Sequence, residues 1–197
     1  DGCPPLFALA KSRKNACIVI SDITRPVPNK VILPQILKVL GKAGIARSNI
    51  TLLIASDLHR PNNAGEIKEL VGKAIAKKYR IINHNARDKK HLTYLGEAGE
   101  GIPVWINKLY CDADLRIITG MIEPHFMAGY SGGAKAICPG IAGEETIKRH
   151  HSPSVLESAF SSIGNLKRNP FRGIIDSAAE LAPADFMLNV TLNIKRR

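Results

Sequence analysis

The stretch ACIVISDITRP, residues 16–26, decides the fold. Its first half is an unbroken apolar run about one strand long, and its second half turns polar and ends on proline. An apolar run without alternation belongs to a strand covered on both faces, as in a parallel sheet. The outline recurs along the chain: ITLLIAS (50–56) runs into DLHRP, RIIN (80–83) into HNARD, and LRIIT (115–119) into GMIEPH. Helical patterns lie between. Residues 30–43 put Ile32, Ile36, Val39 and Leu40 on one face, with Gly44 as a stop; residues 64–79 do the same with Ile67, Leu70, Val71 and Ile75. A third helix is expected around 171–181, introduced by Asn169 as cap and Pro170 at the first position, and FMLNVTLNI (186–194) reads as a last strand. GEAGEGIP (96–103) reads as a glycine-rich loop. Strand–helix alternation predicts a three-layer, Rossmann-like α/β domain whose mostly parallel sheet is flanked by helices.

In such sheets ligands bind beyond the carboxyl ends of the strands. Asp22, Thr24, Arg25, Asp57, His59, Arg60, His84 and His125 fall there. Pro26 and Pro61 hold the preceding arginines extended, and a guanidinium fork suits a carboxylate or phosphate. The competing reading of Asp22 and Arg25 is a local ion pair that shapes the turn. The repeated outline of SDITRP and SDLHRP favours ligand binding.

Composition narrows the partners. The 197 residues fit one domain with a real core, and the formal net charge of +11 suits an anionic partner. The cations are spread, aromatics make up 5%, and no nucleic-acid signature accompanies them, so no nucleic-acid partner is expected. Nothing apolar is long enough to span a bilayer and the first residues lack a signal-peptide layout, which places the chain in the cytoplasm with no membrane partner. Cys3, Cys17, Cys111 and Cys138 are scattered, which argues for isolated thiols rather than a disulfide framework or zinc ribbon.

The chemistry concentrates in HFMAGYSGGAKAICPG, residues 125–140, where Ser131, Gly132 and Gly133 precede Lys135. The alanines flanking Lys135 break the phosphate-loop pattern of nucleoside triphosphatases, because that pattern needs Gly before the lysine and Ser or Thr after it. A phosphate cradle of another kind, a covalent attachment point and a tight loop remain open. His59, His125, His150 and His151 are candidate acid–base groups or metal ligands; adjacent histidines on a helix point about 100° apart, so His150 and His151 cannot share one metal face. Glu123 and Pro124 stand where they would orient His125.

Taken together, SDITRP, ASDLHRP, GMIEPHFMAGYSGGAKAICPGIAGEETI with His151 after it, and FMLNVTLN resemble the N-terminal domain of the lactate racemase family, the nickel-pincer-nucleotide 2-hydroxyacid racemases and epimerases. The resemblance implies a pyridinium-3,5-bisthiocarboxylic acid mononucleotide carrying nickel, joined covalently to Lys135, with His151 as the protein's nickel ligand. It implies that Ser131, Gly132 and Gly133 make room for the ring, and that His59 and His125 form the acid–base pair. Asp22, Thr24 and Arg25 would support a histidine, the cofactor phosphate or the substrate. Implied partners are a lactate-like 2-hydroxy acid, cofactor-synthesis proteins and a C-terminal domain. Residues 1–197 would then be the cofactor-binding and catalytic N-terminal domain, with the family's leading segment and second domain outside this chain. Two positions depart from the family pattern, Ala134 where a basic residue is common and Asp57 where glycine is. The rival readings are a non-enzymatic nucleotide- or anion-binding module and a zinc hydrolase using His59, His125 and His151.

Overall fold

A computed structural model describes residues 4–99 and 101–193 of the chain. In chain order the strands are β1 (Ala16–Ser21), β2 (Ile50–Ala55), β3 (Arg80–Asn83), β4 (Leu92–Ala98), β5 (Ile102–Asn107), β6 (Leu115–Met121), β7 (Pro124–His125), β8 (Gly129–Tyr130) and β9 (Phe186–Val190). The helices are α1 (Leu6–Ala10), α2 (Asn29–Lys42), α3 (Ala64–Val71), α4 (Lys73–Lys78), α5 (Lys108–Cys111), α6 (Glu144–His150), α7 (Pro153–Leu156) and α8 (Pro170–Leu181).

Five strands make one all-parallel sheet in the order β3-β2-β1-β6-β9, as the apolar runs predict. Alternate residues of each run serve opposite faces. Ile18, Ile20, Leu52 and Ile54 pack with Leu33, Leu37, Leu40 and Leu70 of α2 and α3. Cys17, Val19, Leu53 and Ile118 pack with Val104, Ile106, Tyr110, Ile147 and Ile174 on the other side. Each fully buried aliphatic of this kind contributes roughly 1.5–3 kcal/mol of hydrophobic stabilisation. The second layer mixes helices with an antiparallel hairpin, β4–β5, which the sequence patterns did not indicate.

That hairpin corrects the reading of GEAGEGIP as a loop. Gly96, Glu97 and Ala98 finish β4, Ile102 and Pro103 open β5, and the connection narrows to 99–101, with Gly99 and Gly101 at positive φ. The expected helix over 64–79 divides into α3 and α4 at Gly72, whose φ of 83° carries the chain out of helical geometry. The helix over 30–43 and the α8 cap hold: α2 ends ahead of Gly44, and the Asn169 side chain accepts from the Arg172 N–H. The last strand stops at Val190, and Ile194, like Cys3 and the basic end 195–197, lies outside the described residues.

Topology then places the site. Successive strands β1, β2 and β3 step one way across the sheet, and the chain returns to set β6 on the other side of β1. A crevice opens where the direction reverses, at the carboxyl ends of β1 and β6. Ser21 is in register with Ala55, so the turns after β1 and β2 begin level with one another.

Candidate active site

A cavity occupies this crevice. Asp22 and Arg25 enter it from the β1 turn, Asp57 and His59 from the β2 turn, Glu123 from the end of β6, and Ser131, Gly132 and Lys135 from the lysine loop. His125 and His151 lie outside its lining but converge on Phe171, to whose ring the Lys135 Nζ also points at 5.9 Å.

The β1 turn is built around Asp22. Its carboxylate is buried, and its Oδ1 accepts from the Thr24 hydroxyl at 2.6 Å and from the Thr24 N–H at 3.2 Å. Its Oδ2 faces the His59 Nδ1 at 2.8 Å. A carboxylate there fixes the proton of His59 on Nδ1 and leaves the Nε2 lone pair free, the arrangement of a general base. The local Asp22–Arg25 ion pair is not among the described ion pairs; Arg25 instead faces Glu123 at a loose 3.7 Å. Glu123 therefore does not orient His125. Thr24 holds Asp22 through its hydroxyl, a role the sequence left open.

The β2 turn resembles the first in letters and differs in use. Arg60 forms a bidentate pair with Glu66, pulling that carboxyl down to about 2, and Glu66 also closes the capping box of α3 with Asn63. Arg60 thus braces a helix start, and the repeated arginine gives no second ligand site. Asp57 has φ 53° and caps the Leu58 N–H with its own Oδ1 at 2.7 Å. The left-handed conformation is one that glycine, asparagine and aspartate tolerate best. The Asp57 N–H donates to the Gly140 carbonyl, joining the His59 turn to the lysine loop.

His125 is held differently from His59. Its Nδ1 accepts the N–H groups of Met127 and Ala128, at 3.2 and 3.1 Å, so the neutral ring carries its proton on Nε2. Burial first, then the charges of Lys135, Arg25 and His151, push it down to about 4. At neutral pH it presents a hydrogen-bond donor to the site. His151 has a third arrangement: Nδ1 donates to the Ile147 carbonyl at 2.9 Å, which leaves Nε2 as a lone pair on an exposed ring. That is how a metal-binding imidazole is commonly oriented. His150 is buried, donates Nε2–H to the Phe171 carbonyl at 3.0 Å, and is pushed down to about 3 by burial and by His151.

The lysine loop owes its shape to small residues. Gly132 has φ 81°, and a Cβ there would meet the Asn189 Oδ1 and Ile122 Cγ1 at 3.1 Å. The Gly133 N–H donates to the Asn189 Oδ1 at 3.1 Å, so β9 secures the loop. Ser131 is likewise engaged, its hydroxyl donating to the Met121 carbonyl at 2.8 Å. Lys135 is pushed down to about 8, by burial first and then by Arg25, against an opposing pull from Asp57. An amine so depressed is partly unprotonated near neutral pH and is nucleophilic. Cys138, pushed up to about 12 by burial, is a packed, inert thiol. Among the described residues no three His, Cys, Asp or Glu side chains converge into a metal site, which leaves the zinc-hydrolase reading without a ligand set.

The fold and site define a class: a parallel α/β domain that gathers a nucleophilic lysine and differently poised histidines at its topological switch point. The model of the lactate racemase N-terminal domain matches residues 1–164, and the chain belongs to that family. It is 35% identical over 98% of its length to the lactate racemase of Thermoanaerobacterium thermosaccharolyticum, and 36% identical over 98% to that of Lactiplantibacillus plantarum. The chain spans about half the length of these curated relatives, 45% of each. The lactate racemase apoprotein structure from T. thermosaccharolyticum superposes with a TM-score of 0.95 at 34% identity, over 100% of this chain and 47% of that one. A Thermotoga maritima protein superposes with a TM-score of 0.81 at 26% identity, over 96% and 50%.

Sequence reading did not find Asn189, Asn169 and Phe171 as site residues. Asn169 and Phe171 were legible only as a helix start. Contacts that decide their roles reach across 42 residues, from the Asn169 Nδ2 to the Met127 carbonyl, and no local pattern carries such a contact.

Proposed function

We propose that this chain is the catalytic N-terminal domain of a cytoplasmic 2-hydroxyacid racemase or epimerase acting on a lactate-like substrate. It would work with a C-terminal domain and receive a nickel-pincer nucleotide from cofactor-synthesis proteins. The observation that carries the reading is a lowered lysine that lines one crevice with His59 and shares the Phe171 ring with His125 and His151, the three histidines having three different proton arrangements.

The residues fit the group. Lys135 supplies the amine for a covalent link, the glycine turn lets the loop that carries it pack closely against Asn189 and Ile122, and His151 offers an Nε2 lone pair to nickel. Held there by Lys135 and His151, the group would supply a reversible hydride acceptor for the substrate α-carbon. His59, anchored by Asp22, takes the substrate hydroxyl proton at Nε2, and the buried carboxylate stabilises the resulting imidazolium. His125 offers its Nε2–H as a hydrogen bond to the carbonyl oxygen that forms, and the proton taken up by His59 returns to that oxygen when the hydroxyl re-forms. To act as base for the opposite enantiomer, His125 must move its proton to Nδ1 and release Met127 and Ala128. Acylation of Lys135 assists, because it removes the strongest of the charges that hold His125 low. Arg25, only loosely engaged by Glu123, is the guanidinium available to a carboxylate.

The test is a stereochemical one. The family-length protein, made with the cofactor-synthesis proteins, is given one enantiomer of lactate and the product is resolved on a chiral column. Racemisation that disappears in Lys135→Ala supports the reading. Binding of nucleotides or anions without racemisation favours the non-enzymatic module.

A further inference from the structure

We propose that Phe171 is the positioning residue of this site, the ring against which Lys135, His125 and His151 take their places. Phe171 lies in the first turn of α8, beyond the 1–164 span matched by the family model, and is fully buried. Four groups of the site region meet its ring. The Lys135 Nζ stands 5.9 Å from its centroid, His151 meets it edge-on at 5.1 Å, His125 stacks at 6.3 Å and His150 packs at 3.8 Å.

Its backbone contributes too. The Phe171 carbonyl accepts the His150 Nε2–H, which ties the end of α6, and hence His151 beside it, to α8. The preceding Asn169 donates to the Met127 carbonyl at 2.8 Å and secures the turn that bears His125. Phe171 also packs with Ala128 and Ile175, and with the half-buried Met127 and Ala134 next to the two working residues. The loop of His125, the loop of Lys135 and the end of α6 therefore share one hard contact, and rigid packing transmits the position of each to the others. A 1 Å misplacement in such a constellation costs rate steeply.

The proposal rests on the functional reading for the roles of the three side chains, but its test uses the bare chain and needs no cofactor. Acetic anhydride labelling of Lys135 is followed against pH by peptide mass spectrometry in the parent, in Phe171→Leu and in Ile175→Ala. Ile175 lies one turn further along α8 in the same small apolar cluster and serves as the packing control. Phe171→Met, whose unbranched chain adapts to an irregular space, replaces the leucine variant if that one does not fold. Arg25, Asp57, Cys138 and Arg172, the other groups bearing on Lys135, stay unchanged throughout.

In the parent the labelling midpoint is expected at about 8. Loss of the ring lets water reach the amine, and burial is the leading cause of its depression. The Phe171 variant is expected to move the midpoint up by about one unit or more, while Ile175→Ala loses thermal stability and keeps the parent profile. A profile unchanged in the Phe171 variant, or shifted equally in both, overturns the proposal. Absence of a cofactor adduct on Lys135 would sink the functional reading and leave this result standing.

Discussion

The turns after β1 and β2 share a spelling and divide the labour. Both leave level strands with Ser-Asp and both end on Arg-Pro, but only Asp22 is buried, and only it holds a histidine. Asp57 occupies a left-handed backbone position and caps its own turn. Arg25 is loosely tied at 3.7 Å, whereas Arg60 is committed to Glu66 through both nitrogens. A motif repeated in sequence thus states where chain reversals fall beside the site. The partners that arrive from elsewhere settle which copy does chemistry.

Asp22→Asn breaks the comparison most severely. With an amide in place of the carboxylate, the Nδ1–H tautomer of His59 loses its charged anchor, and racemisation by the family-length protein should fall by at least about 100-fold. Nitrogen NMR of the His59 ring should report a mixed tautomer in the same variant. An unchanged rate would remove Asp22 from the mechanism.

The turn after β3 carries His84, which is buried between the Ala142 carbonyl and the Asn107 amide and pushed down to about 4 by burial. Its folded value lies below the unfolded one of about 6.5, so unfolding takes up a proton. Its stabilising contribution is complete above about 6.5 and is lost as pH falls to about 4, amounting to roughly 3 kcal/mol. Urea unfolding across that window should show the decline, and His84→Gln should flatten it. A decline of equal size in the variant would assign the acid sensitivity elsewhere.

Asp57→Asn keeps a residue tolerant of the left-handed conformation and removes the charge that holds Lys135 up. The Lys135 labelling midpoint should fall below about 8, with little change in fold stability. A rise would mean that Asp57 acts by shaping the loop through its bond to Gly140. Smallest of all is Arg60→Ala. Its solvent-exposed pair with Glu66 is screened, so thermal stability should drop only slightly and racemisation should stay at the parent rate. A large loss of rate would restore the second arginine as a ligand group.

The sheet was legible because its strands are covered on both faces, which writes them as continuous apolar runs. The hairpin was not, because β4 and β5 mix Gly, Thr, Glu and Pro with their apolar residues and resemble a loop. Within the site, Lys135 and the histidines stood out by residue type. Their proton arrangements did not, since these depend on the backbone groups of 127, 128 and 147 and on a carboxylate 37 residues from His59. Ser131 and Gly133 hold the loop to β6 and β9 through a hydroxyl and a backbone N–H, contacts that no local pattern carries.

The intact mass of this chain, with nickel analysis, after coexpression with the cofactor-synthesis proteins decides whether Lys135 carries a cofactor. The account predicts a nucleotide-sized increase located on Lys135, with bound nickel, and its absence in Lys135→Ala. An unmodified Lys135 in both this chain and the family-length protein prepared the same way would contradict it.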